Sequence, residues 1–510
     1  MITLQRTCIT ILLMTIITGC ASLPETVEHT TSPLAKPTTS KLSEIVNHSR
    51  PQQSKSSESA FILQQSGWDA LSQRIALIES ANHNIDIQYY IWNEDTSGNY
   101  LASRLIAAAK RGVHVRILLD DFNLSNRDAL LATIDNHPNI EIRVYNPIPS
   151  RNGVMKLVNV TTNFSRLNRR MHNKSFTVDG VLSVVGGRNI GDEYFDLSNE
   201  VNFNDRDVLV AGKVVDEIQD SFLQYWDGPW SYPISLISNK TSTNLTTLET
   251  APIPHYQHYP NLPEGKESSN TLLTNVINKL IWGKAHYTSD SPITADVRES
   301  DKPKATARLL AKLAQQSKQQ ILIESAYLIF DDRQLKALQK LTDKGIQIKI
   351  LTNSMASNDL ITNHSGYAGR RTDMLEHGIQ LFELKPETKL CIESTRDQSK
   401  CMPIAHYGLH AKSAVYDRKI ATIGSFNYNL RSTYLNTEAV LVIENQHIAE
   451  ALATSIEQAM QEENSWRLAL HDEKPRWYSG DKTWDSEPET GKWQRFNSYL
   501  LQLLPIEKYL

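Results

Sequence analysis

Two stretches of the sequence carry the same polar skeleton: RMHNKSFTVDGVLSVVGGRN at 170–189 and GLHAKSAVYDRKIATIGSFN at 408–427. His172, Lys174 and Asp179 return as His410, Lys412 and Asp417 at identical spacing, and Asn189 returns as Asn427. Side chains alternate across a strand, so a histidine and a lysine two apart face the same side. Two imidazoles can divide the work of nucleophile and acid–base catalyst, and two ammonium groups can offset negative charge that builds up in a transition state. Gly186-Gly187 and Gly424-Ser425 let backbone come close to a ligand, and the two asparagines add hydrogen-bond donors. A single His-x-Lys would carry little information. Two copies with the same downstream Asp, Gly and Asn are hard to obtain by chance.

The elements that must position these side chains repeat as well. IDIQYYIW (85–92) alternates as a strand does and is followed by a helical run, LASRLIAAAKRG, and a second strand, VHVRILLDD. ILIESAYLIF (321–330), LKALQKLTDKG and IQIKILTNS keep the same order, with Gly112 and Gly345 closing the two helices. Each half reads as a βαβ unit leading to one copy of the motif, in which Asp179-Gly180 marks a hairpin turn. The expectation is an α/β fold made by internal duplication: two halves related by an approximate twofold axis, each a sandwich of helices around a mixed, largely parallel sheet. The halves are placed at 58–231 and 304–464, with a polar connection at 232–303 and a tail at 465–510. The tail is Trp-rich and ends in RFNSYLLQLLPIEKYL, which reads as a packing strap or, from its Trp and Tyr content, as a membrane-interface segment.

With 510 residues, 40% hydrophobic and 22% charged, the chain has the composition of a globular protein with two or three cores. A formal charge of -4 gives no general basic field, which weighs against nucleic acid as the main partner. Residues 1–19 hold one basic residue, Arg6, before an apolar run, and read as an export signal. That run is shorter than the roughly 20 residues that span a bilayer. Ile17-Thr18-Gly19-Cys20 is similar to the bacterial lipobox, which implies cleavage before Cys20 and acylation of its sulfur. Residues 20–57, rich in Ser, Thr and Pro, then read as a flexible tether between lipid and globule. The expected place is the periplasmic face of a bacterial membrane, and Ala21 favours the outer membrane over the inner one. In that oxidising compartment Cys391 and Cys401, close together in a polar loop, are expected to pair as a disulfide.

Taken with FSRLNRRMHNKSFTVDG, GGRNIGDEYFD, NDRDVLV, GYAGRRTDMLEHGIQLFELKP, RSTYLNTEAVLVIEN and the terminal LLPIE, the paired motif resembles the phospholipase D superfamily over roughly residues 60–505. The resemblance is strongest to bacterial cardiolipin synthases without transmembrane helices. It implies that the two motifs meet between the halves and act on a phosphodiester without a metal or other cofactor. One histidine attacks phosphorus to give a phosphohistidine; the other protonates the leaving oxygen and later deprotonates the incoming alcohol. By that likeness His172 is the nucleophile and His410 the acid/base, with Lys174 and Lys412 on the non-bridging oxygens and Asn189, Asn427 and Ser425 in support. A nucleophilic histidine also needs a carboxylate on its far nitrogen. The resemblance suggests Glu193 and Glu438, while Asp179 and Asp417 either join the catalytic set or orient strands and lysines. The first copy has GGRN where the second keeps the usual GSFN, which removes one hydroxyl that could contact phosphate. Arg166, Arg169 and Arg170 read either as a solvated helix face or as a contact for anionic lipid.

The activity this implies is that of a membrane-tethered phosphatidyltransferase making cardiolipin from phosphatidylglycerol and a second phospholipid, phosphatidylethanolamine among them, or an alcohol. The same residues would serve a phospholipase D that releases phosphatidic acid, or a periplasmic nuclease. A non-catalytic lipid-binding scaffold would be expected to have lost a histidine or a lysine, and all four are present.

Overall fold

The computed structural model describes residues 39–510 except 56–57, 125–126, 151–158, 160, 241, 243–244, 294–301 and 505, together with residues 23, 24 and 27. The expected export signal, Cys20 and nearly half of the expected tether lie outside the described residues. Among those described, no helix is long and apolar enough to cross a membrane.

The first half contributes β1 (Ser59–Gln64), β2 (Asn84–Tyr89), β3 (His114–Asp120), β4 (Ile140–Tyr145), β5 (Ser175–Val178), β6 (Leu182–Gly186), β7 (Val201–Asn204), β8 (Asp207–Gly212) and β9 (Ser231–Pro233). All but β7 form a sheet in the order β9-β4-β3-β2-β5-β6-β8-β1. The second contributes β10 (Ile281–Ser289), β11 (Gln320–Ser325), β12 (Gln347–Asn353), β13 (Gln380–Leu384), β14 (His406–Leu409), β15 (Lys412–Tyr416), β16 (Ile420–Gly424) and β17 (Ala439–Glu444). The tail adds β18 (Ser465–His471), β19 (Lys474–Ser479) and β20 (Lys482–Trp484). The second sheet runs β10-β17-β16-β15-β11-β12-β13-β18-β19-β20, and β1 pairs with β10 to join the two.

The α/β class and the two related halves are as expected, but the sheets are less parallel than the βαβ reading suggested. Within the two large sheets, β2-β3-β4 and β11-β12-β13 are the parallel blocks among the described residues. The first crossover in each is a helix, Thr96–Lys110 or Asp332–Thr342, capped by Asp95 or Asp331. Each motif copy then returns as an antiparallel hairpin, β5-β6 or β15-β16, because its tight turn leaves no room for a crossover. The turns have positive φ at Asp179 and Gly180 and at Asp417 and Arg418, the conformation of a hairpin turn matched to strand twist.

The regions read as a flexible tether and a polar connection contain ordered elements among their described residues. Within 20–57, Lys41–Ser49 is a helix started by a Ser40–Ser43 capping box, and its Leu42 and Val46 enter the first-half core. Within 232–303, the helix Gly265–Ile277 buries Leu273 and Ile277 in the same core, and β10 bridges the sheets. A separate core lies between the halves and mixes side chains from both, among them Phe61, Val208, Leu322 and Ile443. Beside it β7 and β14 pair in parallel, one strand from each half.

The motif glycines serve close strand contact. A Cβ at Gly424 would lie 2.1 Å from the Ala439 carbonyl oxygen, and one at Gly186 would lie 2.4 Å from that of Arg206. Gly424→Ala is expected to destabilise the fold by about 2 kcal/mol or more, read as a fall in the urea midpoint. Gly491→Ala, where nothing lies within 4 Å, should leave the midpoint nearly unchanged.

Candidate active site

His172 and His410 enter one cleft of about 620 Å³ between the halves, which Tyr90, Asn189, Tyr194, Asn427, Arg170 and Arg431 also line. Each histidine sits at the mouth of its hairpin strand, and the opposite half holds its backbone. His172 N–H donates to the Thr437 carbonyl at 2.9 Å, and His410 N–H donates to that of Asn204 at 2.8 Å. The preceding residue is fixed from its own half. Met171 N–H donates to the Asp120 carboxylate at 2.9 Å, and Leu409 N–H to the Asn353 side-chain oxygen at 2.7 Å, Asp120 and Asn353 being the last residues of β3 and β12.

The imidazoles are also oriented across the boundary. His172 Nδ1 lies 2.8 Å from Glu438 Oε2, and His410 Nδ1 lies 2.5 Å from Asp205 Oδ2. With Nδ1 occupied, Nε2 is the nitrogen left for chemistry. Glu438 is itself held by the hydroxyls of Ser425 and Ser432, at 2.5 and 2.7 Å. Aromatic rings fix the outer faces: Tyr90 meets His172 edge-on at 4.9 Å, and Tyr194 meets His410 at 5.1 Å.

Lys174 and Lys412 are buried beside the histidines. Lys174 donates to the His172 carbonyl at 2.7 Å; Lys412 donates to the His410 carbonyl and lies 2.9 Å from His410 Nδ1. Burial lowers Lys174 to about 7 and Lys412 to about 8. Burial likewise drives His172 down to about 4, against the pull of Glu438, and His410 down to about 3, with Lys412 adding to the effect. Burial alone would raise Glu438 and Asp205, but their histidine partners and nearby lysines hold both below the ordinary carboxylate values. The resting site thus keeps both imidazoles neutral and both carboxylates ionised.

Of the two carboxylates that the resemblance suggested, the structure brings Glu438 to a histidine and leaves Glu193 elsewhere. Glu193 sits in the short turn Asp192–Tyr194, accepts from the Asn93 amide at 2.8 Å, and is pushed up to about 7 by burial. Asp205, in the NDRD stretch, occupies the place that Glu193 was expected to fill. Asp179 and Asp417 do not touch the histidines. Asp179 accepts backbone N–H groups from Asn82, His83 and Asn84, and Asp417 accepts them from Lys318, Gln319 and Gln320, clamping the starts of β2 and β11 to the motif turns.

Asn189 donates to the Tyr194 hydroxyl at 3.0 Å, while the Asn427 side-chain oxygen is buried without a protein partner. The GGRN departure has a local cause: a Cβ at Gly187 would lie 2.3 Å from Asp205 Oδ1, so a serine does not fit beside that carboxylate. In the second copy the Ser425 hydroxyl supports Glu438 and is not turned to a phosphate. Arg169 and Arg170 are buried, not a solvated face; Arg170 pairs with Asp120 at 3.2 Å, and Arg166 lies over the Trp230 ring at 4.5 Å. Cys391 and Cys401 are disulfide-bonded, with Cα atoms 5.8 Å apart.

Comparison with known proteins agrees with this geometry. The family model described as "Cardiolipin synthase, PLD-like domain" matches twice, at residues 75–226 and 310–460. The chain is 38% identical over 461 residues to cardiolipin synthase C of Escherichia coli K12, covering 86% of this chain and 93% of that one. It is 31% identical over 469 residues to an uncharacterized protein of Helicobacter pylori strain 26695, covering 90% and 88%. Among solved structures, the phosphatidylserine synthase of Haemophilus influenzae shares the fold with a TM-score of 0.54 at 14% identity, covering 87% of this chain and 91% of that one. With one copy of the motif inside each family match, the chain belongs to the phospholipase D superfamily as a cardiolipin synthase-like enzyme.

Proposed function

We propose that the protein is a phosphatidyltransferase that forms cardiolipin, using phosphatidylglycerol as one substrate and a phosphohistidine as intermediate. The observation that carries this reading is the pair of histidines in one cleft, each fixed at Nδ1 by a carboxylate of the opposite half. The likeness to a relative named cardiolipin synthase C supports the choice of substrate.

His172 Nε2 attacks phosphorus, and the bond from phosphorus to the donor's head-group oxygen breaks as His410 gives that oxygen a proton. The acceptor hydroxyl then returns a proton to His410 while its oxygen displaces His172 from phosphorus. With phosphatidylglycerol as both donor and acceptor, the products are cardiolipin and glycerol, and His410 recovers the proton that it takes up from solvent when substrate binds. Lys174 and Lys412 offset the charge on the non-bridging oxygens. The arriving phosphate is anionic, so it favours the protonated form of His410 that the empty, buried site resists. The family likeness gives His172 the nucleophile's part, and Ser425 and Ser432 brace the Glu438 that orients it.

Membrane attachment through an acylated Cys20, facing the periplasm and favouring the outer membrane, belongs to the same reading and is supported by the lipobox-like Ile17-Thr18-Gly19-Cys20. A mass gain matching acyl groups, lost in Cys20→Ala, is the expected result.

Purified protein incubated with phosphatidylglycerol, alone and with phosphatidylethanolamine, should yield cardiolipin by mass spectrometry. His172→Ala and His410→Ala should each reduce the rate about 1,000-fold or more. Phosphatidic acid as the sole product would make the enzyme a hydrolase. A donor with a p-nitrophenol leaving group, which needs no acid, separates the histidines: His410→Ala should still show a burst of p-nitrophenol, and His172→Ala should not.

Asp205→Asn and Glu438→Gln should each keep the fold and lose about 100-fold or more in rate, because the amide holds the wrong tautomer. The depressed histidine values also predict a stability profile. Above 6.5 the histidines are neutral in both folded and unfolded chains; as pH falls toward 4, the unfolded histidines take protons that the folded ones refuse. The urea midpoint should therefore fall through that window, and fall less steeply in the His172→Gln/His410→Gln double variant.

A further inference from the structure

The C-terminal helix Lys492–Gln502 is turned inside out. A surface helix ordinarily buries its apolar stripe and exposes its polar face. Here polar side chains four apart face the protein: Gln494 donates to the Met355 carbonyl at 3.3 Å and Ser498 accepts from the Ser365 hydroxyl at 3.1 Å, while Gln502, one turn on, is exposed. The helix Ile361–Glu376 carries Ser365 and Gly369. The opposite side presents Trp493 at 72% exposure, Phe496, Tyr499, Leu500, Leu503 at 64% and Leu504. At 100° per residue the first four cover one continuous arc, and Leu503 and Leu504 follow in the turn after the helix. Packing against the protein therefore does not account for these exposed side chains.

The helix beneath this face leads to the mouth of the cleft, which Leu360, Thr362 and Asn363 line. The chain leaving the helix ends at Tyr509 and Leu510, which line the cleft, and the Leu510 carbonyl accepts from Arg431 N–H at 3.2 Å. Tyr509 meets Phe164 edge-on at 5.5 Å. Phe122, Phe164 and Leu360 line the same cleft and are themselves exposed, and exposed Ile361 adjoins Leu360 at the start of the helix beneath. Exposed apolar side chains thus line part of a cleft that also carries histidines, asparagines and arginines.

We propose that the outward face of the C-terminal helix and these cleft-lining side chains form the surface on which the enzyme rests on a phospholipid bilayer; the proposal rests on the phospholipid-transfer reading above. A diacyl substrate keeps its phosphate at the bilayer surface and its chains below it. A cleft carrying these polar groups reaches such a phosphate only when its mouth lies against the headgroup layer. Trp, Tyr and Phe at that level, backed by leucines, suit the boundary between water and hydrocarbon. The surface would act beside any acyl anchor, since an anchor holds the protein near the membrane without setting which side faces it.

The test uses the full chain on phosphatidylglycerol/phosphatidylcholine vesicles with brominated acyl chains, which quench tryptophans that enter the bilayer. Wild type should show a quenched component that Trp493→Phe lacks; equal quenching in both overturns the proposal. Leu500→Glu/Leu503→Glu should lose about tenfold or more in rate on vesicles, since burial of leucine in lipid is replaced by burial of charge. It should keep its rate on short-chain, monomeric phosphatidylglycerol. Equal losses on both substrates overturn the proposal, as does a halving of the molar mass in this variant, which would make a second copy the occupant. Quenching of Trp493 in a wild type that converts neither substrate would keep this surface and remove the phosphatidyltransferase reading.

Discussion

The constraint on which the rest of the structure depends is the exchange of carboxylates across the boundary between the halves. His172 is oriented by Glu438, and His410 by Asp205. The backbones follow the same rule, with each histidine N–H satisfied by a carbonyl of the other half. Neither half alone supplies both a cleft histidine and the carboxylate that orients it. The mixed core between the sheets, the β1–β10 pairing and the parallel β7–β14 pair hold this exchange to the tolerance that catalysis demands.

Much of this was legible in the sequence because the duplication writes every element twice. The recurrence of His, Lys, Asp, Gly and Asn located both motif hairpins, and the alternating stretches located β2, β3, β11 and β12. The antiparallel majority of each sheet was not legible, because strand periodicity reports which face is buried and not the direction of the neighbour. Asp205 was missed for a geometric reason. The first half inserts the turn Asp192–Tyr194 and β7 between motif and carboxylate, so Asp205 stands farther from its motif than Glu438 does. The nearer Glu193 therefore drew the assignment. The stronger signal was the register of the strand that follows: β8 pairs with β6 as β17 pairs with β16, which makes Asp205 and Glu438 equivalent. The helix Lys41–Ser49 was hidden by the Ser- and Pro-rich composition around Leu42 and Val46.

Electrostatically, the site is built against its own comfort. Two lysines and two histidines are taken out of water, and burial is the leading cause of every one of their shifts. Two ionised carboxylates and neutral imidazoles are the arrangement that this burial tolerates. An anionic group placed between the histidines changes that balance, because it satisfies the lysines and favours a proton on an imidazole. In the proposed mechanism, substrate binding and preparation for proton transfer are then a single event.

Gly187 and Ser425 occupy the same position in the two motif copies, yet one lies beside an aspartate that leaves no room for a Cβ and the other donates to a glutamate. Two identical subunits around a true twofold axis could not hold that difference. Every substitution in one would appear in the other, and both histidines would share one environment. Fusion into a single chain removes that symmetry, so each imidazole can acquire its own basicity and its own timing in the reaction cycle. A one-atom side chain on one side and a hydroxyl on the other mark where twin sites have begun to specialise.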